Sequence, residues 1–264
     1  MPDSIDFKYS GWVSRVGVVG LTVLLNACSV YAPMQPHMPM TRAAGQAEAQ
    51  LNWLPTSRFD ASAAYSPLRY MVLTAAGSFR PRGGYDTTYF NSRQYEVGVG
   101  SYWPATNRLL VSGLLGGGHS VSERSFREPN IFFGSTDELA VYQARYRKLF
   151  GQLGVAYEWE RVTLGATYRL TSVDFTTITY NSQALPIENM LRGEPMLFLR
   201  VNGLSDQQPA WAQLQMTVGL STPLGQEPLN EGFNDRRVRN SAFTAGIGVV
   251  FYPHRFGTHR REAK

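Results

Sequence analysis

From Gln46 to Phe251 apolar and polar residues alternate with a period of two in segment after segment, and a chain patterned in this way forms strands with two unlike faces. In the clearest segment Val162, Leu164, Ala166, Tyr168 and Leu170 stand against Thr163, Gly165, Thr167, Arg169 and Thr171. Ala47, Ala49, Leu51 and Trp53 likewise oppose Gln46, Glu48, Gln50 and Asn52. Such segments give about ten strands, starting near positions 46, 59, 69, 95, 109, 149, 162, 197, 213 and 243; the fifth, 109–117, is apolar on both faces.

The connections carry a second pattern. Those after the second, fourth, sixth and eighth segments are short (66–68, 104–107, 159–160, 205–209), and those after the third, fifth, seventh and ninth are long (80–93, 121–138, 174–195, 222–241). Only 55–57 is short where a long connection would fit. An even strand count with alternating connections predicts an all-β fold, an antiparallel up-and-down β-barrel of about ten strands, with both chain ends at the short-turn end. Ten strands lie close to the eight whose interior side chains fill, so no large open pore is expected.

Alternation does not by itself say which face is outside. The polar faces carry Glu48, Asp60, Glu96, Lys148, Arg169 and Arg200, three acids and three bases suited to pairing in a narrow lumen, though in a soluble sheet they would face water. Trp53, Tyr65, Tyr95, Trp103, Tyr157, Trp159, Trp211, Phe243 and Phe251 fall near strand ends, where membrane barrels wear aromatic girdles. Thr244 to Phe251 loosely resembles the carboxy-terminal signal for barrel insertion, but more chain follows Phe251 than most barrels have.

At the amino end Lys8 and Arg15 precede an apolar run, Val16 to Leu25, of about ten residues, long enough for a signal peptide and too short to span a bilayer. Asp3 and Asp6 offset the two basic residues. The run ends in Leu25, Asn26, Ala27 and Cys28, which resembles the lipobox of bacterial lipoproteins and implies cleavage before Cys28 and acylation of its sulfur. Cys28 is the single cysteine of the 264 residues and has no partner for an internal disulfide. Tyr31 to Met40 holds Pro33, Pro36 and Pro39 and reads as an extended tether. The expected organisation is a signal peptide over 1–27, a lipid anchor and proline-rich tether over 28–45, a barrel over 46–252 and a basic tail over 253–264.

The formal net charge of +5 owes much to that tail, with His254, Arg255, His259, Arg260, Arg261 and Lys264. An exported chain rarely meets nucleic acid, and basic residues near an anionic lipid surface account for the charge. The mature chain resembles small outer-membrane β-barrel-like lipoproteins of Gram-negative bacteria, on Cys28, the Tyr31-Ala32-Pro33 start, residues 45–51 with 60–65, and Phe150 to Gly154 with the hairpin after it. The resemblance implies a place and a lipid partner, not an activity or a protein partner.

Chemistry is sparse. Of the four histidines, His119 alone is well placed, at the loop end of the fifth segment, with Ser120 beside it. Neighbours in a strand point to opposite faces, which argues against a dyad. Gly116, Gly117 and Gly118 read as a bulge or flexible strand end. No metal or other cofactor is expected, and Glu227, Glu231, Asp235, Arg236, Arg237 and Arg239 read as a solvated loop. The expectation is an outer-membrane barrel lipoprotein with a structural or binding role, not an enzyme. Two alternatives stay open: a lipid-anchored periplasmic, lipocalin-like barrel holding a small apolar ligand, and an outer-membrane lipid hydrolase using His119 and Ser120.

Overall fold

The computed structural model describes residues 30–83, 88–128, 138–202, 211–225 and 238–255. The signal segment, Cys28, most of the acidic and basic loop residues named above and the end of the basic tail lie outside them. The strands are β1 (Ala47–Leu54), β2 (Arg58–Tyr65), β3 (Met71–Gly83), β4 (Tyr89–Pro104), β5 (Leu109–Glu128), β6 (Glu138–Glu158), β7 (Val162–Tyr180), β8 (Gln183–Ala184), β9 (Asn189–Asn202), β10 (Ala212–Leu224) and β11 (Ala242–Phe251).

Each pairs antiparallel with the next from β1 to β7; β7 then pairs with β9, β9 with β10, β10 with β11, and β11 returns to β1, closing a barrel of ten staves. The two-residue β8 only folds back on the end of β7, through a tight turn at Asn181 (φ 45°) and Ser182 (φ 68°). The carboxy-terminal end is pinned below β1, where His254 Nδ1 lies 2.9 Å from the Ala47 carbonyl oxygen.

The alternation places apolar rows outward and polar rows inward. Leu51, Val97, Leu149, Leu153, Leu197 and Leu214 are exposed, while Glu48, Asp60, Glu96, Lys148, Arg169 and Arg200 are buried in the lumen. A lipocalin-like barrel would need the reverse. Exposed aromatic side chains ring both ends of the apolar band: Trp53, Phe59, Phe79, Tyr95 and Phe243 toward the long connections, and Tyr65, Tyr70, Trp103, Trp159 and Trp211 toward the short turns.

Several strands run well past that band. The segments 121–138 and 174–195, expected as loops, are largely ladder: β5 continues to Glu128, β6 starts at Glu138, and β7 and β9 meet again at the Asp174–Asn189 pair. Their pattern escapes a search for outward apolar rows because its phase reverses. Arg145 and Arg147 face outward on β6 while Ala140, Tyr142, Ala144 and Tyr146 face in; on β7 Leu170 is the last apolar residue outside before Ser172 and Asp174, with Val173 and Phe175 inside. The barrel thus has a lower storey, apolar outside and charged within, and an upper storey built the opposite way.

Gly116, Gly117 and Gly118 belong to unbroken ladders on both sides of β5 and form no bulge. They are required by close approach: a Cβ on Gly116 would sit 2.5 Å from the Phe150 ring, and one on Gly118 2.2 Å from the Tyr95 carbonyl oxygen. Similarly, the far end of the Phe198 ring lies over Gly165, 2.2 Å from where a Cβ would stand.

Candidate functional site

What fills the lumen is the chain itself. Residues 30–41, which take in the stretch from Tyr31 to Met40 that reads as an extended tether, are buried throughout and run down the inside of the barrel. Val30 and Tyr31 belong to the apolar cluster of the upper storey, with Tyr142, Tyr146 and Phe175. Met38 and Met40 belong to a second cluster at the short-turn end, with Tyr102, Leu110 and Tyr252. This strap therefore enters at the long-connection end, crosses the lumen and turns into β1 at the other. Arg255 is at the short-turn end; Val30 is not, because the reading from strand count alone began at β1 and missed the preceding pass.

Three prolines and an extended course leave the strap without strand partners, so its backbone groups take side chains from the wall. Ser122 donates to the Val30 carbonyl at 2.9 Å, Gln94 to that of Ala32 at 2.8 Å, Gln152 to that of His37 at 2.8 Å and Arg200 to that of Met38 at 3.1 Å. Glu48 accepts the Met40 amide at 2.8 Å. Below, Arg42 ties the strap to Glu158 and to the Thr106 carbonyl at 3.1 Å. Small wall residues make the room: a Cβ on Gly154 would lie 2.9 Å from the Met38 sulfur.

The lumen charges assemble into separate clusters around this backbone. Glu96 is shared by Lys148 and by Arg169, which stands 2.8 Å away and also reaches Gln152 at 2.9 Å. Glu48 pairs with Arg200 at 2.9 Å and with the His37 ring at 3.0 Å. Arg200 goes on to Gln215 at 2.7 Å and to the Tyr252 hydroxyl at 2.9 Å. Asp60 pairs with none of the other five; it takes Arg58 at 2.7 Å and Ser78 at 2.7 Å. Buried charges persist only when paired in this way.

Two tyrosines outside the strands sit among these charges. Burial, reinforced by Glu194, raises the Tyr31 phenol well above its usual range, and it donates to Glu194 at 2.8 Å. Burial also pushes the Tyr252 phenol up to about 12, Glu48 adding to the rise and Arg200 opposing it; it donates to Gln213 at 2.7 Å. Both are neutral donors at physiological pH.

Arg58, Arg192, Glu194 and the strap itself are the parts that sequence reasoning missed. Arg192 and Glu194 continue the inward row of β9 below Met190 and above Met196, a row that is visible once β9 is started at Asn189. The strap's signal is its composition: from Val30 to Thr41 no Asp, Glu, Lys or Arg occurs, while Val30, Tyr31, Met34, Met38 and Met40 do, which is unlike a solvated linker. Thioether side chains adapt well to such an irregular interior.

His119 and Ser120 form no dyad. His119 stacks on the outward Tyr95 ring, centroids 5.9 Å apart, while Ser120 is fully buried on the lumen side. Among the described residues no group of three or more His, Cys, Asp or Glu is placed to hold a metal ion.

No protein-family model matches this chain, and no curated protein sequence matches it. Among solved structures it is similar to the translocator domain of the autotransporter NalP from Neisseria meningitidis, with TM-score 0.41, 11% identity and coverage of 90% of this chain and 96% of that one. It is also similar to the Ralstonia pickettii toluene transporter TbuX, with TM-score 0.38, 10% identity and coverage of 78% and 73%. A third is the OmpT of Vibrio cholerae, with TM-score 0.22, 13% identity and coverage of 79% and 96%. At these scores the likeness carries no inference about activity.

Proposed function

We propose that this chain is a lipoprotein barrel embedded in the bacterial outer membrane and sealed by its own amino-terminal strap, with a structural or binding role rather than transport or catalysis. The observation that carries this is the inversion of the barrel. A closed wall with apolar side chains outside, aromatic rings at both rims and charges within is matched to hydrocarbon, not to water. The outward apolar row that starts at Leu149 on β6 runs to Trp159 just past the strand's end, and a tilted strand needs about nine to eleven residues to cross a bilayer.

The strap bears on the lipid anchor. In outer-membrane barrels the short turns face the periplasm and the longer loops the exterior. Val30 then lies on the outer side. Cys28 is two residues away, a reach of about 7 Å at full extension. In this reading an acyl group on Cys28 belongs to the cell-surface side rather than to the inner leaflet, and the strap returns the chain through the lumen to begin β1.

The test replaces Cys28 with alanine behind a cleavable, non-lipoprotein signal and follows the product through a carbonate wash. Retention in the outer-membrane fraction is expected, because the wall itself is inserted. Release as a folded soluble protein would refute embedding.

A further inference from the structure

The outward wall over β4 to β7 is not evenly filled. Between Trp103, Leu153, Tyr168 and Leu170 lies an open furrow of about 600 Å³, almost wholly apolar, with Gly113 and Gly151 at its floor. Gly116 and Gly118 on the lumen side are required by close approach, but the floor glycines are not. A Cβ on Gly113 would meet nothing nearer than the Leu153 and Trp103 side chains, at 3.6 and 3.7 Å, and one on Gly151 nothing nearer than Leu115 at 3.4 Å. Packing within the barrel therefore leaves room for side chains there, and their absence makes the wall concave.

Toward the long connections, the outward row of β6 that borders this furrow turns from apolar to basic: Leu153, Gly151 and Leu149 are followed by Arg147 and Arg145. Arg147 stands four residues beyond Gly151, about 14 Å along the strand. It is in register with His119 and, through it, with Tyr95 of the upper aromatic rim. Arg145 is in register with Val121 and, through it, with Arg93 of β4. All three arginines are exposed, and among the described residues none of them forms an ion pair. The carboxylates beside them are Glu123, which accepts the Tyr89 hydroxyl, and Asp174, the register partner of Arg147. Three bases against two acids leave the row net positive. Toward the short turns, by contrast, Trp103 stands at the end of the furrow and the β6 row finishes in Tyr157 and Trp159.

An apolar hollow in a wall that meets hydrocarbon takes hydrocarbon. Guanidinium groups at the level of the aromatic rim meet headgroups, and their planar forks match phosphate oxygens. The two features lie on one strand, within the length of one lipid molecule.

We propose that the furrow and the basic row above it bind one anionic phospholipid of the leaflet at the long-connection rim, with an acyl chain against Gly113 and Gly151 and the phosphate on Arg145 and Arg147. The site rests on the embedded reading given above, since both halves meet lipid only if the wall spans the bilayer.

The full-length protein in phosphatidylcholine bilayers, doped with phosphatidic acid or phosphatidylcholine spin-labelled on the acyl chain, tests it. Electron spin resonance reads the fraction of each lipid held immobile by the protein. Phosphatidic acid is expected to be held about fivefold more strongly than phosphatidylcholine, and added salt to reduce that preference. The Arg145→Gln, Arg147→Gln double variant brings the two lipids to parity, whereas Arg161→Gln, at the short-turn end, keeps the preference. Gly113→Leu fills the furrow and lowers the immobile fraction of both lipids. An inserted wild type without preference, a preference indifferent to salt, or folded variants at positions 145 and 147 or at 113 that match the wild type would overturn the proposal. A protein that fails to float with the bilayers at all would refute embedding itself, and the site with it, a result distinct from insertion without preference.

Discussion

Glu48 of β1 meets Arg200 of β9 inside the lumen at 2.9 Å, and its other carboxylate oxygen holds the backbone amide of Met40 at 2.8 Å. One buried side chain thus joins two staves that are separated by β10 and β11, and fastens the strap to both. Removing it would leave the Arg200 charge without its carboxylate in the interior, a loss of about 3–5 kcal/mol for buried pairs. Glu48→Ala is accordingly expected to lower the unfolding free energy of the refolded barrel in urea by that order, with a lower midpoint, and to expose the strap to trypsin at Arg42. A midpoint equal to wild type would show that the pair holds nothing together.

The Gly165–Phe198 contact makes a second, purely steric prediction. A Cβ at position 165 would stand 2.2 Å from the ring, so Gly165→Ala forces Phe198 out of the lower apolar cluster. Overpacking of this kind costs about 1–3 kcal/mol. Adding Phe198→Leu is expected to restore part of the loss. Strict additivity of the two changes in a denaturant double-mutant cycle would contradict the contact.

The Tyr252 phenol gives a dependence on alkaline pH. Its pKa is raised in the folded protein to about 12 from 10, so its contribution to stability is complete below 10 and is lost as pH rises through 12. Unfolding in urea between those values is expected to become easier in the wild type than in Tyr252→Phe, whose pH dependence is flatter. Parallel curves for the two proteins would remove Tyr252 from the account.

Much of the wall was legible from sequence because lipid-facing and lumen-facing rows differ so strongly. The β7 row from Val162 to Thr171 sets out both faces residue by residue, and ten strands with alternating connections sufficed for the closed barrel. Legibility failed where that contrast fails. Above Lys148 the outward residues are Arg147 and Arg145 and the inward ones aromatic, so a rule tuned to outward apolar rows takes ladder for loop. The strap was misplaced for a related reason. Its prolines correctly exclude a ladder, but exclusion from a ladder does not put a segment in solvent when wall side chains can satisfy its backbone. Phase put the six charges on one face of the strands; which of them meet could not be read from it, since pairing within a barrel depends on shear and on the strap, as Asp60 shows by pairing with Arg58 alone among the described bases.

Conductance in a planar bilayer tests the central claim most directly, because it asks at once whether the wall spans the membrane and whether the strap closes it. The wild-type protein is expected to insert without opening a pore. A variant in which residues 30–41 are deleted and 42–264 retained, folded by the criterion of heat-modifiable migration, is expected to pass small ions. A wild type that conducts steadily, or a folded strap-less barrel that stays silent, would contradict the account.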